Sequence, residues 1–239
     1  MVAKQQKVAA KMKIGILQTG HPADEIKAQM GDYSDSFALI LAGHGFSFET
    51  YMVVDGKFPD GPLACDGWLI TGSKHGVYED HDWIKPLEQL IREIRDAQKP
   101  LIGVCFGHQI IAQALGGRVK KFDGGWAIGP QEYQTAEGET VTLNAYHQDQ
   151  VLELPPGAKR AASNDFCANA AMTVGDTIYT LQPHPEFSED YIKLLIKYRG
   201  RGVIPDDVLD RAEKRLAKEI AQGQEIGDYF AAFFKSGAA

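Results

Sequence analysis

The apolar positions of this chain come in short bursts whose period switches between two residues and about three and a half. KIGILQ (13–18) is an apolar run closed by a polar residue, the pattern of a buried strand. FSFETYMVV (46–54) alternates, DGWLITG (66–72) is a short run ending in glycine, and PLIGVC (100–105) is another; all three read as strands. Helical patterns lie between them. Residues 24–42 place Ile26, Met30, Phe37, Ile40 and Leu41 loosely at helical spacing and predict a helix. Residues 82–98 repeat Trp83, Ile84, Leu87, Leu90, Ile91 and Ile94 with charges between them, and HQIIAQALGG (108–117) reads as a helix stopped by Gly116 and Gly117. Strand and helix thus alternate over the first 117 residues. That predicts an α/β three-layer sandwich, with a central, mostly parallel sheet covered by helices on both faces.

From 118 to 182 the character changes. WAIGPQEYQ, TVTLN, AAMTV and TIYTLQ are short β-like runs among Gly and Pro, which suggests a small antiparallel portion on or beside the same sheet. Residues 188–235 turn helical again, with DYIKLLIKY and DVLDRAEKRLAKEI; Pro205 and two aspartates open the second well. The mixed charges of DRAEKRLAKE (210–219) mark a solvated helix face. No repeat or linker splits the 239 residues, so one domain is expected over 1–239, with a core at about 13–190 and a C-terminal helical extension over 191–239. The first dozen residues read as a loose basic leader without the apolar stretch of a secretory signal.

Composition narrows the function classes. Hydrophobic residues make up 44% and charged residues 24%, which is globular rather than disordered. Lys and Arg number 25 against 32 Asp and Glu, a net charge of −7, which argues against a nucleic-acid partner held through phosphates. No apolar run approaches the roughly 20 residues of a membrane helix, and three cysteines make no disulfide framework. The expectation is a cytoplasmic protein with reduced thiols.

The sharpest local chemistry is GVCFGHQ (103–109). A buried-type strand ends, Cys105 follows, and a helix begins at once, with Gly103 and Gly107 two residues away on either side. This is the logic of the G-x-S-x-G elbow with sulfur in place of oxygen: a sharp turn with small neighbours that lifts the side chain above the carboxyl edge of the sheet. It also sets the sulfur at a helix N-terminus, where the dipole favours the thiolate. Cys65 and Cys167 lack such a setting and read as structural. A thiolate needs a proton shuttle. His184 in LQPHPEF (181–187) follows a strand-like run and is stiffened by Pro183 and Pro185, and in extended backbone Glu186 points the same way as His184, within reach of its ring. The order Cys…His-x-Glu is the expected triad. His108 reads as a solvent-side or capping residue, Trp126 as core, and His75, Tyr78 and Asp80 as a possible pocket rim. No Cys or His motif shows metal-ligand spacing such as C-x2-C.

These motifs resemble those of the class I glutamine amidotransferases. GVCFGHQ matches the family's G-x-C-x-G-x-Q elbow, QPHPE is close to its C-terminal H-P-E, ITGSKHGVYED (70–80) looks like its Gly-rich oxyanion loop, and YHQDQV (146–151) looks like its S-H-x-D-x-V stretch. The resemblance runs from about 13 to 190. It implies a flavodoxin-like fold and hydrolysis of a γ-glutamyl amide through a thioester on Cys105, with His184 as acid–base and Glu186 orienting it. It further implies backbone oxyanion donors at Gly72 and Phe106, and glutamyl contacts from Gln109, His147 and Asp149. No metal or organic cofactor is implied. FPDGPLACDGWLITGSKHGVYEDHDWI and HQDQVLELP are also similar to the stand-alone γ-glutamyl peptidase branch of plants and to bacterial amidotransferase-like proteins. The chain departs from the family at Pro183, where an aromatic is usual, and at Tyr146, where serine is usual. Four functions follow for weighing: a stand-alone hydrolase or peptidase of γ-glutamyl compounds, a glutaminase subunit giving ammonia to a separate synthase partner, a non-catalytic binding protein, or a different cysteine α/β family.

Overall fold

A computed structural model describes residues 11–237. Of the leader expected over the first dozen residues, 1–10 lie outside the described residues, and Met12 already belongs to a strand. The elements in chain order are β1 (Met12–Gln18), α1 (Asp24–Met30), α2 (Tyr33–Ile40), β2 (Phe46–Met52), β3 (Gly67–Ile70), α3 (Ile84–Asp96), β4 (Leu101–Val104), α4 (Phe106–Ala114), β5 (Arg118–Lys121), β6 (Ala127–Thr135), β7 (Thr140–His147), β8 (Asp149–Glu153), β9 (Ala158–Ser163), β10 (Ala171–Val174), β11 (Ile178–Leu181), α5 (Glu189–Leu195), α6 (Asp206–Leu216) and α7 (Gly223–Ser236). A turn of π-helix, Ile196–Gly200, continues α5.

Nine strands form one sheet in the order β2-β1-β3-β4-β11-β10-β9-β6-β7. The first five pair in parallel, with Leu17 opposite Ile70, Ile70 opposite Gly103, and Gly103 opposite Thr180. From β10 onward the pairing is antiparallel. β5 and β8 form a separate antiparallel ribbon. β3 and β4 are buried throughout, so their side chains alternate between two cores. Trp68, Ile70 and Leu101 face α3 and α4, meeting Leu87, Ile91, Ile94, Ile110 and Ile111. Leu69, Ile102 and Val104 face the other way, toward Phe37 of α2 and Phe230 and Phe234 of α7. This is the predicted mixed, mostly parallel sheet between two helical layers. A third apolar cluster joins α1, α5 and α6 around Ile26, Phe187, Tyr191 and Leu209.

The single helix expected over 24–42 is two. Gly31 adopts φ +80°, which ends α1, and Asp32 then starts α2 with a capping box shared with Asp35. Of the C-terminal helices, α7 joins α2 in one covering layer of the sheet, and Gly227 lets it approach the Ile40 carbonyl so closely that a Cβ would lie 2.5 Å from that oxygen.

Candidate active site

β4 delivers its last residue to the carboxyl edge of the sheet, and the backbone turns at once into α4. At the turn Cys105 has φ 53° and ψ −103°. Among the described residues, only Gln98 shares a positive φ without being glycine. A non-glycine residue in such a conformation is strained by about 1–3 kcal/mol and persists only where its surroundings enforce it. Here they do. The Cys105 N–H donates to the Leu181 carbonyl at 2.9 Å, its own carbonyl accepts from the Gln109 N–H at 3.0 Å, and the flanking glycines allow a backbone crossing that no side chain would permit. A Cβ on Gly103 would lie 2.5 Å from the Gly107 carbonyl oxygen, and one on Gly107 2.3 Å from that of Ile70. The thiol sits 6% exposed at the N-cap of α4, whose first amide, that of Phe106, has no acceptor within the helix.

His184 stands beyond β11, and its peptide N–H donates to the Asn144 carbonyl at 2.7 Å. Nδ1 donates to Glu186 Oε1 at 2.7 Å, and both side chains are almost fully buried. The opposite ring face is also held: the imidazole stacks on Phe187 at 4.1 Å and 7°, and Phe187 stacks on Tyr191 with the same spacing and angle. Asn144 secures the Phe187 carbonyl from its amide at 2.8 Å. With Nδ1 committed to Glu186, Nε2 is the nitrogen available to the sulfur. Burial pushes the ring pKa down, but the Glu186 carboxylate and the Cys105 sulfur outweigh it and lift it to about 10. The ring therefore carries a proton at neutral pH.

Gly72 follows β3 and fits between these two groups. A Cβ there would lie 2.9 Å from His184 Cε1 and 3.7 Å from Cys105 Cβ. The preceding peptide is clamped by two buried threonines that sequence reasoning missed. The single hydroxyl proton of Thr19 is shared between the Thr71 and Gly72 carbonyls, each 3.0 Å from Oγ1, which fixes the plane that carries the Gly72 N–H, and the Gly72 carbonyl also accepts from the Thr71 hydroxyl at 3.0 Å. No motif announces this pair; it exists because β1 and β3 run parallel in register.

Gln109, one turn along α4, lines the same cavity as Cys105, His184 and Gly72. Its amide nitrogen donates to the Asp149 carbonyl and to Gln182 Oε1, each at 3.0 Å, which leaves its own Oε1 without a protein partner among the described residues. His147 is 4% exposed; Nδ1 donates to the Asp149 carbonyl at 3.2 Å, and Nε2 is buried without a protein partner. Burial, and then the charge on His184, press its pKa down to about 3, so this ring is neutral. The half-buried Asp149 carboxylate accepts from the Tyr78 hydroxyl at 2.8 Å, and burial raises its pKa. The cavity has a volume of about 540 Å³, in the range of small-molecule sites. All of the expected site residues come together here; Glu186 and the Phe106 side chain stand behind the wall rather than in it.

Three expectations are corrected. His108 is neither on the solvent side nor a cap. It is fully buried: Nε2 donates to the Asn169 carbonyl at 3.0 Å, Nδ1 accepts from the Thr180 hydroxyl at 2.6 Å, and burial lowers its pKa to about 4. The cause is that α4 is covered on all sides, with Phe106 through Ala112 all buried. Trp126 is half-buried and does both: it packs against the third apolar cluster and lines the cavity beside Tyr146, so it is not core alone. His75 and Tyr78 do rim the cavity, but Asp80 does not. His75 instead meets Glu79 and His81: Glu79 Oε2 accepts from His75 at 3.2 Å and from His81 at 2.7 Å, and the three donor atoms lie within 4.8 Å of one another, a set that could hold a cation. Trp83 packs against both of these rings and against Phe106. Cys65 and Cys167 are buried, and burial raises both thiols, Cys167 to about 12, in keeping with structural roles.

On fold and site together, the chain falls in the class of α/β proteins whose sheet carries a sharp strand–turn–helix elbow at its carboxyl edge. Within that class it belongs to the class I glutamine amidotransferase family: residues 32–193 match the family model described as Glutamine amidotransferase class-I. The chain is 33% identical over 232 residues to γ-glutamyl peptidase 4 of Arabidopsis thaliana, covering 89% of this chain and 91% of that protein. It is 32% identical over 148 residues to a glutamine-hydrolyzing GMP synthase subunit of Halobacterium salinarum, covering 57% of this chain and 75% of that one. The crystal structure of a glutamine amido transferase from Methylobacillus flagellatus superposes with a TM-score of 0.76 at 20% identity, over 95% of this chain and 96% of the other. Among the described residues no helix is long and apolar enough to cross a membrane.

Proposed function

We propose that this protein is a cysteine-dependent hydrolase of γ-glutamyl amides, with Cys105, His184 and Glu186 as its triad. The observation that carries the reading is the convergence at Gly72, where the positive-φ thiol and a buried, glutamate-tied imidazole close on one backbone amide. Cys105 sulfur, its proton held by His184, attacks the δ-carbonyl of the glutamyl group. A C–S bond forms, and the carbonyl π electrons move onto oxygen, where the Gly72 and Phe106 amides receive the charge. One such donor is typically worth about 3–4 kcal/mol in the transition state. The tetrahedral adduct collapses, the C–N bond breaks, and the departing amine takes its proton from His184. Water, deprotonated by the same ring, then cleaves the thioester and releases glutamate. Glu186 holds the ring in the required tautomer and stabilises its positive form. The carbonyl oxygen of Gln109 suits the glutamyl ammonium, with His147 and Asp149 completing that end of the pocket.

The peptidase reading is favoured over a synthase subunit by extent of likeness: the γ-glutamyl peptidase relative aligns over 89% of the chain, and the GMP synthase relative over 57%. The test is turnover of glutamine and of glutathione by the purified protein alone, with Cys105→Ala as control. Glutathione turnover lost on Cys105→Ala supports the proposal. No turnover of either compound until a second protein is added supports the subunit reading, and less than tenfold loss in the variant removes the nucleophile.

A further inference from the structure

Arg199 stands on the π-helical turn Ile196–Gly200, where the ladder of α5 widens by one residue, a device that recurs at functional sites. Its side chain lines the catalytic cavity and is half-buried. Among the described residues it has no carboxylate in ion-pair range and no side-chain hydrogen bond. The other cations on the cavity are placed differently: Arg201 is committed to Asp206, Asp210 and Glu213, and Lys74 and Lys121 are exposed. A partly desolvated guanidinium without a counter-ion is unfavourable until an anion arrives, and its planar fork fits a carboxylate.

The neighbourhood shows which end of the site it serves. Burial raises the phenols of Tyr33 and Tyr146, each to about 12, and that of Tyr191; the positive charge of Arg199 opposes the rise at all three. The backbone places it the same way: the turn that carries Arg199 continues the helix of Tyr191, and a Cβ on neighbouring Gly200 would lie 3.4 Å from the Tyr146 hydroxyl, so Arg199 belongs to the tyrosine-lined part of the cavity beside the Phe187–Tyr191 stack. Tyr146, whose hydroxyl donates to the Leu195 carbonyl at 3.3 Å, ties the π-helical turn to β7 and keeps Arg199 in place.

We infer that Arg199 receives the carboxylate carried by the leaving amine, so that this site selects γ-glutamyl amino acids and peptides with a free C-terminus over γ-glutamyl compounds whose leaving group is uncharged. The inference rests on the hydrolase reading above and names the substrate class of that site. Ammonia, the leaving group of glutamine, has nothing to offer this residue.

The experiment measures kcat/KM for glutathione and for its C-terminal amide with the full chain and with Arg199→Met and Arg199→Lys. The unaltered protein is expected to prefer the acid by at least about tenfold, the increment of a charge-assisted contact. Arg199→Met is expected to bring the ratio close to one, chiefly through KM, and Arg199→Lys to keep part of it. A ratio unchanged in Arg199→Met, or an unaltered protein without preference, overturns the inference. Equal losses on acid and amide also overturn it, because Arg199 then serves the glutamyl half or the fold. If the unaltered protein cleaves neither of these compounds nor glutamine, the hydrolase reading has failed; in either case of no cleavage, calorimetric binding of glutathione and its amide to Cys105→Ala decides the inference separately: equal affinities refute it.

Discussion

Substituting Gly72 by alanine adds one methyl group at the most crowded point of the site. That carbon would sit 2.9 Å from His184 Cε1, whereas carbons in contact prefer about 3.5–4.0 Å, so something must move by at least about 0.6 Å. The imidazole has nowhere to retreat: Phe187 backs it at 4.1 Å, Glu186 holds Nδ1 at 2.7 Å, and Asn144 holds its peptide. The Gly72 backbone is tied in turn to Thr19 and Thr71. The shift thus falls on the ring–sulfur geometry or on the oxyanion amide, and a misplacement approaching an ångström costs on the order of 100-fold in rate. Overpacking of this size destabilises by about 1–3 kcal/mol, which leaves the variant folded. We expect Gly72→Ala to lower kcat for a γ-glutamyl substrate about 100-fold with little change in KM, with a cooperative thermal transition retained. Steady-state kinetics together with thermal unfolding make the check. A folded variant with kcat within about threefold of the parent would refute the geometry.

Two further predictions follow from the same contacts. Thr19→Val removes the hydroxyl that serves the Thr71 and Gly72 carbonyls; denaturant unfolding should show a loss of about 1–3 kcal/mol, and kcat should fall more than KM rises, whereas an unaltered kcat would separate the clamp from the oxyanion donor. Glu186→Gln keeps an acceptor for Nδ1 but removes the charge that raises the His184 pKa. Because that pKa lies at about 10, above the value near 6.5 of an unfolded histidine, the stability it contributes is complete below about pH 6.5 and is lost as pH rises through about 10. The alkaline limb of kcat/KM, where the ring loses the proton it gives to the amine, should therefore lie near pH 10 and move to lower pH in Glu186→Gln. An unmoved limb would assign it to another group.

Much of this was legible along the chain because the relevant contacts are local. The elbow needs only Gly103, Cys105 and Gly107, and His184 and Glu186 are two residues apart, although Pro185 and Glu186 form a turn rather than the extended backbone expected, and the turn is what brings the carboxylate to Nδ1. In the parallel half of the sheet β3, β4 and most of β1 could be read because they are buried on both faces and show as short apolar runs, whereas edge strand β2 alternates and β11, which pairs in parallel with β4, reads among the antiparallel runs that precede it. What escaped depends on partners distant in sequence. Thr19 and Thr71 meet only through strand register, and Arg199 matters only because α5 returns to the cavity wall. His108 lies on a helix whose covering by α3, the sheet and the 149–153 strand no local pattern reveals. The division at Gly31 had a signal, since Gly-Asp followed three residues on by a second aspartate is a helix stop and a capping box in succession, but the apolar spacing on either side conceals it.

If the proposed chemistry holds, Cys105 must bond covalently to the glutamyl carbon. Acid-quenched mass spectrometry of the protein mixed with excess γ-glutamyl substrate tests this directly. We predict a mass increase of one γ-glutamyl group, mapping to the peptide that contains Cys105 and missing from Cys105→Ser at that residue. Sustained substrate cleavage by Cys105→Ala, with no adduct on any sample, would contradict it.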